Sequence, residues 1–258
     1  MDLLLDRDWS ATWSELVRAR DERMGARDDG YWDQRSDRYA LSLHDRPDPF
    51  VDFLEPWLSP DRTLVDVGAG VGRHAVPLAG RLGHVHAVEP SAGMRARIPR
   101  LPNLTVVPAA WLETEPLRPD LVICVHMLYP IADPVPFIAR LDASARERAF
   151  IVMRDLPSRH PVEVMLGNPR EPLLRHCYLL LRQMGIAPDV TMFRYPDSFR
   201  FASFDEAVAD CRWRAGDLWD DVRGRRFLED SLVPCPDGAV LFEGGEMVSG
   251  ILHWTPRG

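Results

Sequence analysis

The stretch Leu64-Val65-Asp66-Val67-Gly68-Ala69-Gly70-Val71-Gly72-Arg73-His74 constrains the fold of this chain more than any other. A β-branched run breaks into three glycines at alternate positions and passes into a helical pattern. A second apolar run, Val85-His86-Ala87-Val88, then ends on Glu89. In order these read as a strand, a tight loop, a helix and a second strand with a carboxylate at its tip. Glycine permits the sharp turn and lets a ligand come close to the main chain, where a Cβ would obstruct it. The helix start beyond offers N–H groups that lack intrahelical partners. A terminal acid can accept two hydrogen bonds from a ribose diol. The segment is suited to holding a nucleoside.

The spacing narrows which nucleoside. A dinucleotide fingerprint needs G-x-G-x-x-G; here the third glycine, Gly72, comes one residue early and Arg73 takes the reserved place. The Gly-Lys-Ser/Thr ending of a P-loop is absent. Asp66 has no role in the dinucleotide scheme, but a carboxylate beside the loop suits a cationic ligand. These residues resemble the S-adenosylmethionine (SAM) site of class I methyltransferases. Asp66-x-Gly68-x-Gly70-x-Gly72 matches the family's acid-x-Gly-x-Gly-x-Gly loop, and Glu89-Pro90-Ser91-x-x-Met94 matches its segment after the second strand. The resemblance implies that Asp66, Gly68, Ala69, Gly70 and Gly72 wrap the aminoacid moiety and that Glu89 takes the ribose hydroxyls, with Pro90 and Met94 beside it. It implies SAM as cofactor, S-adenosylhomocysteine as product, and an α/β fold with a doubly wound, mostly parallel seven-stranded sheet. It covers about residues 30–200.

Composition sets the frame. A chain of 258 residues can bury a full core, and one elaborated domain is expected. Net charge is −8 with a pI near 5.5, the wrong sign for a general phosphate-backbone binder. Cys124, Cys177, Cys211 and Cys235 show no C-x-x-C or Cys/His ligand spacing, which fits a reduced, cytoplasmic compartment. The acidic start Met1-Asp2-Leu3-Leu4-Leu5-Asp6 does not read as a signal peptide. No apolar run approaches the ~20 residues that span a bilayer.

Three regions are expected: a helical N-terminal cap over 1–58, a SAM-binding α/β core over 59–155, and over 156–258 the rest of the sheet with a helical insertion forming a lid. In the cap, Trp9, Trp13, Leu16 and Val17 share a helical face. A second helix, capped by Asp28 or Asp29, is expected to carry Tyr31, Trp32, Arg35 and Tyr39. That segment resembles the N-terminal helix that many class I methyltransferases fold over bound SAM; packing across the sheet would use the same residues. Strands are expected at 63–67, 84–89, 104–107, 120–125 and 149–153, with a helix from Val71 to Leu82 that Pro77 shortens. Ser91 reads as an N-cap, and Asp133-Pro134 as an N-cap and first-turn pair. Beyond 155, a Pro-rich loop over 156–172 is expected, then a helix ending at Gly185. A strand over 190–195, with or without 199–201, precedes a capping box at Ser203-x-x-Glu206; a helix over 217–233 and a closing strand over 247–254 complete the chain.

Open α/β sheets bind ligands at the carboxyl ends of their strands. There lie His126, a candidate base for an acceptor O–H or N–H, and Tyr129, whose hydroxyl could orient the acceptor. Equally, His126 could only shape the pocket. Methyl transfer from a sulfonium needs alignment more than a base, so the want of a triad does not weigh against an enzyme. No acid stands after the third strand for the adenine amino group; Ala110 and Trp111 occupy that place, with Trp111 expected to flank the ring. Arg35, Arg38 and Arg73 are candidates to pair the methionyl carboxylate. No spacing marks a metal site, and the Asn/Asp-Pro-Pro-aromatic motif of base-amine methyltransferases is missing. The reading is a SAM-dependent methyltransferase with a small-molecule acceptor, no nucleic acid or membrane partner, and an open oligomeric state. The rivals are a non-catalytic SAM-binding protein, a nicotinamide dehydrogenase, and a protein or RNA methyltransferase.

Overall fold

The β-branched runs pair into one sheet that divides the molecule. In the computed structural model, residues 7–25, 30–42, 49–167 and 170–257 are described. Three helices come first: α1 (Trp9–Met24), α2 (Ser36–Ser42) and α3 (Pro49–Phe53). Then β1 (Thr63–Val67), α4 (Ala75–Ala79), β2 (His84–Val88), α5 (Ala92–Arg95), β3 (Leu104–Val107), β4 (Leu121–Val125), α6 (Pro134–Ser144) and β5 (Arg148–Arg154) alternate. The C-terminal part holds α7 (Pro161–Leu166), α8 (Leu174–Gln183), β6 (Asp189–Phe201), α9 (Phe204–Ala215), α10 (Asp221–Ser231), β7 (Leu232–Pro234) and β8 (Val240–Trp254).

Seven strands run in the order β3-β2-β1-β4-β5-β8-β6, and β7 pairs β8 off that path. β1 to β5 are mutually parallel, while β8 runs antiparallel to both β5 and β6. The order reverses between β1 and β4, so the crevice of a doubly wound sheet opens above those two strands. This is the doubly wound, mostly parallel sheet that the sequence predicts. One face buries Val65, Val67, Cys124 and Ile151 against α1, α6 and α8, with Trp13 fully enclosed. The other buries Leu64, Leu121, Ile123 and Phe150 against α3 and α4. Trp13 Nε1 donates to the Ile131 carbonyl at 2.7 Å, which satisfies the buried indole and ties α1 to the segment after β4.

Several elements depart from the sequence reading. The helix expected from Val71 is only the five residues of α4, because Gly70 to His74 form successive turns. Pro77 falls in its first turn, where a missing N–H costs nothing. Asp133 occupies the N-cap of α6 without a side-chain capping bond, whereas Ser91 Oγ caps α5 as expected, accepting from Met94 N. The Pro-rich stretch contains a helix, α7, begun by His160 Nδ1 accepting from Val162 N. Tyr31 and Trp32 lie in a turn before a 3-10 turn, Asp33–Arg35, and α2; the expected caps Asp28 and Asp29 lie outside the described residues.

The largest departure is a β-arm. β6 is one strand of 13 residues with a bulge between Asp197 and Ser198, and β8 extends over 15 residues. The helix expected over 217–233 is α10, and its last residues are instead the strand β7. β5 pairs β8 only from Ser249 to Trp254, so the N-terminal half of β8 and the C-terminal half of β6 project past the carboxyl edge of the sheet. A third apolar cluster, including Val162, Val208, Cys211, Phe201, Leu228 and Phe242, packs α7, α9 and α10 on this arm. An overhang thus stands beside the crevice.

Candidate active site

The glycine loop takes the shape its residues allow. Gly68, Gly70 and Gly72 have φ of 74°, 55° and 85°, the left-handed region that costs a β-carbon-bearing residue energy. Gly68 N and Ala69 N both donate to the Val88 carbonyl, at 2.8 and 3.1 Å, so the loop is pinned to the end of β2. A Cβ on Gly68 would lie 2.4 Å from Met127 Cγ, and one on Gly72 would lie 2.9 Å from Val76 Cγ2. The loop is therefore a cradle that side chains would fill. Asp66, two residues before Gly68 in β1, is buried.

Glu89 meets the loop directly. Its carboxylate accepts from Gly70 N at 2.8 Å and from Ser91 N at 2.9 Å, one bond to each oxygen, and the residue is 6% exposed. Burial pushes its pKa up, opposed by the Ser91 and Gly70 N–H groups. Roughly four lone-pair positions on a carboxylate leave acceptor capacity for a diol. Asp33, which sequence reading left without a role, closes the next turn: its carboxylate accepts from Ser91 Oγ and from Gly93 N at 2.8 Å. Those bonds, the Ser91 hydroxyl foremost, hold its pKa below the ordinary carboxylate value. A Cβ on Gly93 would meet the Asp33 carbonyl oxygen at 2.8 Å, so that glycine admits the N-terminal segment to the site.

Above the loop stands an aromatic roof. Tyr31 and Trp32 pack edge-on at 5.0 Å, and Trp32 and Tyr39 at 5.6 Å. Tyr39 Cε1 lies 3.7 Å from the place a Cβ on Gly70 would occupy. The Arg35 guanidinium is stacked 3.3 Å from the centre of the Tyr31 ring and 3.5 Å from that of Trp213 on α9. The N-terminal segment and the C-terminal arm therefore meet through one cation. Arg35, expected to pair a carboxylate, has both ring-facing sides engaged here. The Arg38 side chain lies outside the described residues, and Arg73 is half-buried just past Gly72.

At the end of β4, His126 is exposed and Tyr129 buried. His126 has φ 53°, the one positive value at a non-glycine among the described residues, and its N–H donates to the Val152 carbonyl at 2.9 Å. Its Nδ1 lies 3.0 Å from the Tyr129 hydroxyl, which also accepts from Arg154 N at 2.8 Å. The hydroxyl expected to orient an acceptor is thus occupied by protein groups. Arg154 lies over the Tyr129 ring and pairs with Glu171 at 3.1 Å. Burial raises the Tyr129 pKa.

Met94 is buried beneath the Glu89 segment, Pro90 is exposed on its rim, and Ala110 is half-buried after β3. Trp111 stands apart from the others. It is 2% exposed, with Nε1 directed to the Phe137 carbonyl and the Arg140 guanidinium 4.8 Å from its ring centre. Two surface depressions of about 420 and 360 Å³ lie elsewhere, on α1 and beside Arg148 and Trp254. Among the described residues no group of three or more His, Cys, Asp or Glu is placed to hold a metal ion, and no helix is long and apolar enough to cross a membrane.

Known proteins resemble this chain in sequence and fold. A family profile described as a methyltransferase domain matches residues 31–185. An uncharacterised protein of Haemophilus influenzae is 24% identical over 203 residues, 72% of this chain and 75% of that protein. Ribosomal RNA small subunit methyltransferase A of Aromatoleum aromaticum is 28% identical over 119 residues, 44% of each chain. Magnesium protoporphyrin IX methyltransferase of Synechocystis, solved with bound S-adenosylhomocysteine, is 13% identical with a TM-score of 0.52, covering 87% of this chain and 96% of that one. With its glycine cradle, its acid at the tip of β2 and a domain match over more than half its length, this chain belongs to the methyltransferase domain family and is a class I S-adenosylmethionine-dependent methyltransferase.

Proposed function

We propose that this enzyme methylates a small molecule held between the carboxyl ends of β4 and β5 and the β-arm, with SAM seated on the glycine loop. The observation that carries the reading is the roof: Tyr39 stands against Gly70, and Arg35 joins Tyr31 to Trp213 above it. A site covered from both termini favours a compact acceptor over a polymer, and the net charge of −8 disfavours a polyanion.

A sulfonium donor supplies an electrophilic methyl carbon whose leaving group is a neutral thioether. The chain's own part is placement. Gly68, Ala69, Gly70 and Gly72 offer main chain free of side-chain bulk, with Asp66 behind them. Glu89 accepts from the ribose diol, supported by Pro90 and Met94, while Ala110 lies at the adenine end. Tyr31, Trp32 and Tyr39 exclude water. Alignment of nucleophile, carbon and sulfur is worth several kcal/mol of barrier by itself.

Calorimetric titration with SAM, paired with a methyl-transfer screen over metabolites and a ribosomal RNA fragment, tests this. Micromolar binding, lost by at least tenfold in Gly70→Arg, and transfer to a small molecule are expected. Absence of binding sinks the SAM site; transfer to RNA alone sinks the acceptor class.

A further inference from the structure

One exposed carboxylate joins the N-terminal segment to the acid at the tip of β2. Asp33 Oδ1 accepts from the Ser91 hydroxyl and, at 2.8 Å, from Gly93 N, groups 58 and 60 residues further along the chain. Ser91 is buried, and its bonds run in series. The hydroxyl gives its one hydrogen to Asp33 and accepts from Met94 N at 3.1 Å, while the Ser91 N–H holds Glu89 Oε1 at 2.9 Å. α5, which Ser91 caps, is only four residues long. So short a helix does not keep its own direction. The bonds from Asp33 to its first turn therefore fix how Ser91 N points at Glu89. The approach is close: a Cβ on Gly93 would also stand 2.9 Å from Asp33 Cα and 3.1 Å from Ser36 Oγ. Asp33 lies within the roof segment, just after Trp32 and shortly before Arg35, and Ser36 Oγ donates to its carbonyl at 3.2 Å.

We propose that Asp33 is a positioning residue for the cofactor: through Ser91 it orients Glu89 toward the ribose diol, and so couples closure of the roof to occupation of the sugar site. The proposal rests on the SAM-binding reading above and adds to it a residue that acts through another. With one Glu89 oxygen held by Gly70 N and the other by Ser91 N, the plane of the carboxylate is set, and its remaining lone pairs are aimed for a diol. Loss of the Asp33 bonds lets Ser91 and Glu89 swing, so the grip on two hydroxyls must be ordered anew at each binding event. The coupling is reciprocal. A roof drawn down by Asp33 prepares Glu89, and a sugar held by Glu89 keeps Ser91 in place for Asp33. Asp33 is exposed, so water replaces its bonds when the roof lifts. A tie that only tethered the segment would strengthen every ligand of the loop alike. A tie that acts through Glu89 strengthens only ligands that carry the hydroxyls.

Calorimetry with S-adenosylhomocysteine and its 2′,3′-dideoxy analogue separates the two. Asp33→Ala is expected to weaken S-adenosylhomocysteine by roughly fivefold and the dideoxy analogue by less than about twofold. An exposed position predicts a melting temperature within about 2 °C of the unaltered protein. Asp33→Asn keeps an oxygen for Ser91 and Gly93 and is expected to recover most of the loss. Ser91→Ala is expected to show the same preference between ligands, with the double variant no weaker than the worse single one. Equal weakening of both ligands by Asp33→Ala, or unchanged binding of S-adenosylhomocysteine, overturns the proposal. If the unaltered protein binds neither ligand, the SAM-binding reading itself falls; if it binds them and Asp33→Ala treats them alike, only the role of Asp33 falls.

Discussion

Glu89 is 6% exposed, yet the proposed grip on a sugar diol is strongest with its carboxylate ionised, and that conflict is measurable. Burial raises its pKa above the ordinary value of 4.5 despite two N–H donors. A carboxyl raised in the folded state favours folding below its unfolded pKa, and that advantage is lost as pH rises through the folded value. Cofactor binding runs the other way. Protonation removes acceptor capacity, so SAM affinity is expected to fall on acidification at a pH above the usual carboxylate range. Calorimetry across pH should show the inflection, and Glu89→Gln should abolish it while weakening neutral-pH binding at least tenfold. Glu89 was legible in the sequence because its position at a strand tip is local. Asp33 was not: its partners, Ser91 and Gly93, come from the far side of the glycine loop, and no spacing rule joins them.

At the scale of elements, two joints hold the N-terminal segment and the helices of the β-arm together. One is the Arg35 guanidinium between Tyr31 and Trp213. Trp213→Ala removes one stacking partner, a loss of about 1–2 kcal/mol. Release of SAM, followed by stopped-flow fluorescence, is expected to quicken by roughly tenfold, with global unfolding hardly changed. The other is buried. His160 Nε2 lies 2.9 Å from Asp210 Oδ2, and Arg214 Nε pairs the same oxygen at 2.8 Å, joining α7 to α9. Burial lowers the His160 pKa, aided by Arg214 and opposed by Asp210 and Glu163. A histidine depressed in the folded state supports folding above its unfolded value near 6.5, and the support drains away as pH falls below it. Protonation would also place a hydrogen on Nδ1, which now accepts from Val162 N. Faster amide exchange in α7 and α9 below about pH 6.5 is expected, with α6 unaffected. These elements themselves were partly readable. The apolar spacing of α8 and the Ser203 cap were visible, whereas α7 hid in a Pro-rich stretch because its start depends on a histidine cap that propensity does not score.

For the whole molecule, the decisive feature is that β6 and β8 outrun β5 and carry helices past the carboxyl edge of the sheet. Gly244 sits within the arm, as the bulge residue between Glu243 and Gly245 opposite Asp197 and Ser198. A Cβ there would meet the Asp197 carbonyl oxygen at 2.7 Å and Arg159 Cβ at 2.9 Å, neither of which swings aside easily. Gly244→Ala is expected to cost about 1–3 kcal/mol. The loss should appear as faster hydrogen exchange in β7, α9 and α10 and weaker SAM binding, while β1 to β5 keep their protection. Uniform loss across the sheet would show that the arm is not a separate cooperative unit.

The sequence by itself determined the βαβ unit, its left-handed glycines and the acid at its tip, because each is a choice made among neighbours along the chain. Parallel pairing followed from the alternation of strands and helices. Only the tertiary structure decided where the arm lies, that Arg35 and Trp213 meet, and that the Tyr129 hydroxyl is held between His126 and the Arg154 main chain. Those facts depend on which distant strands pair and in what register. Such pairing is set by burial of both sheet faces together, and no local window of residues contains it.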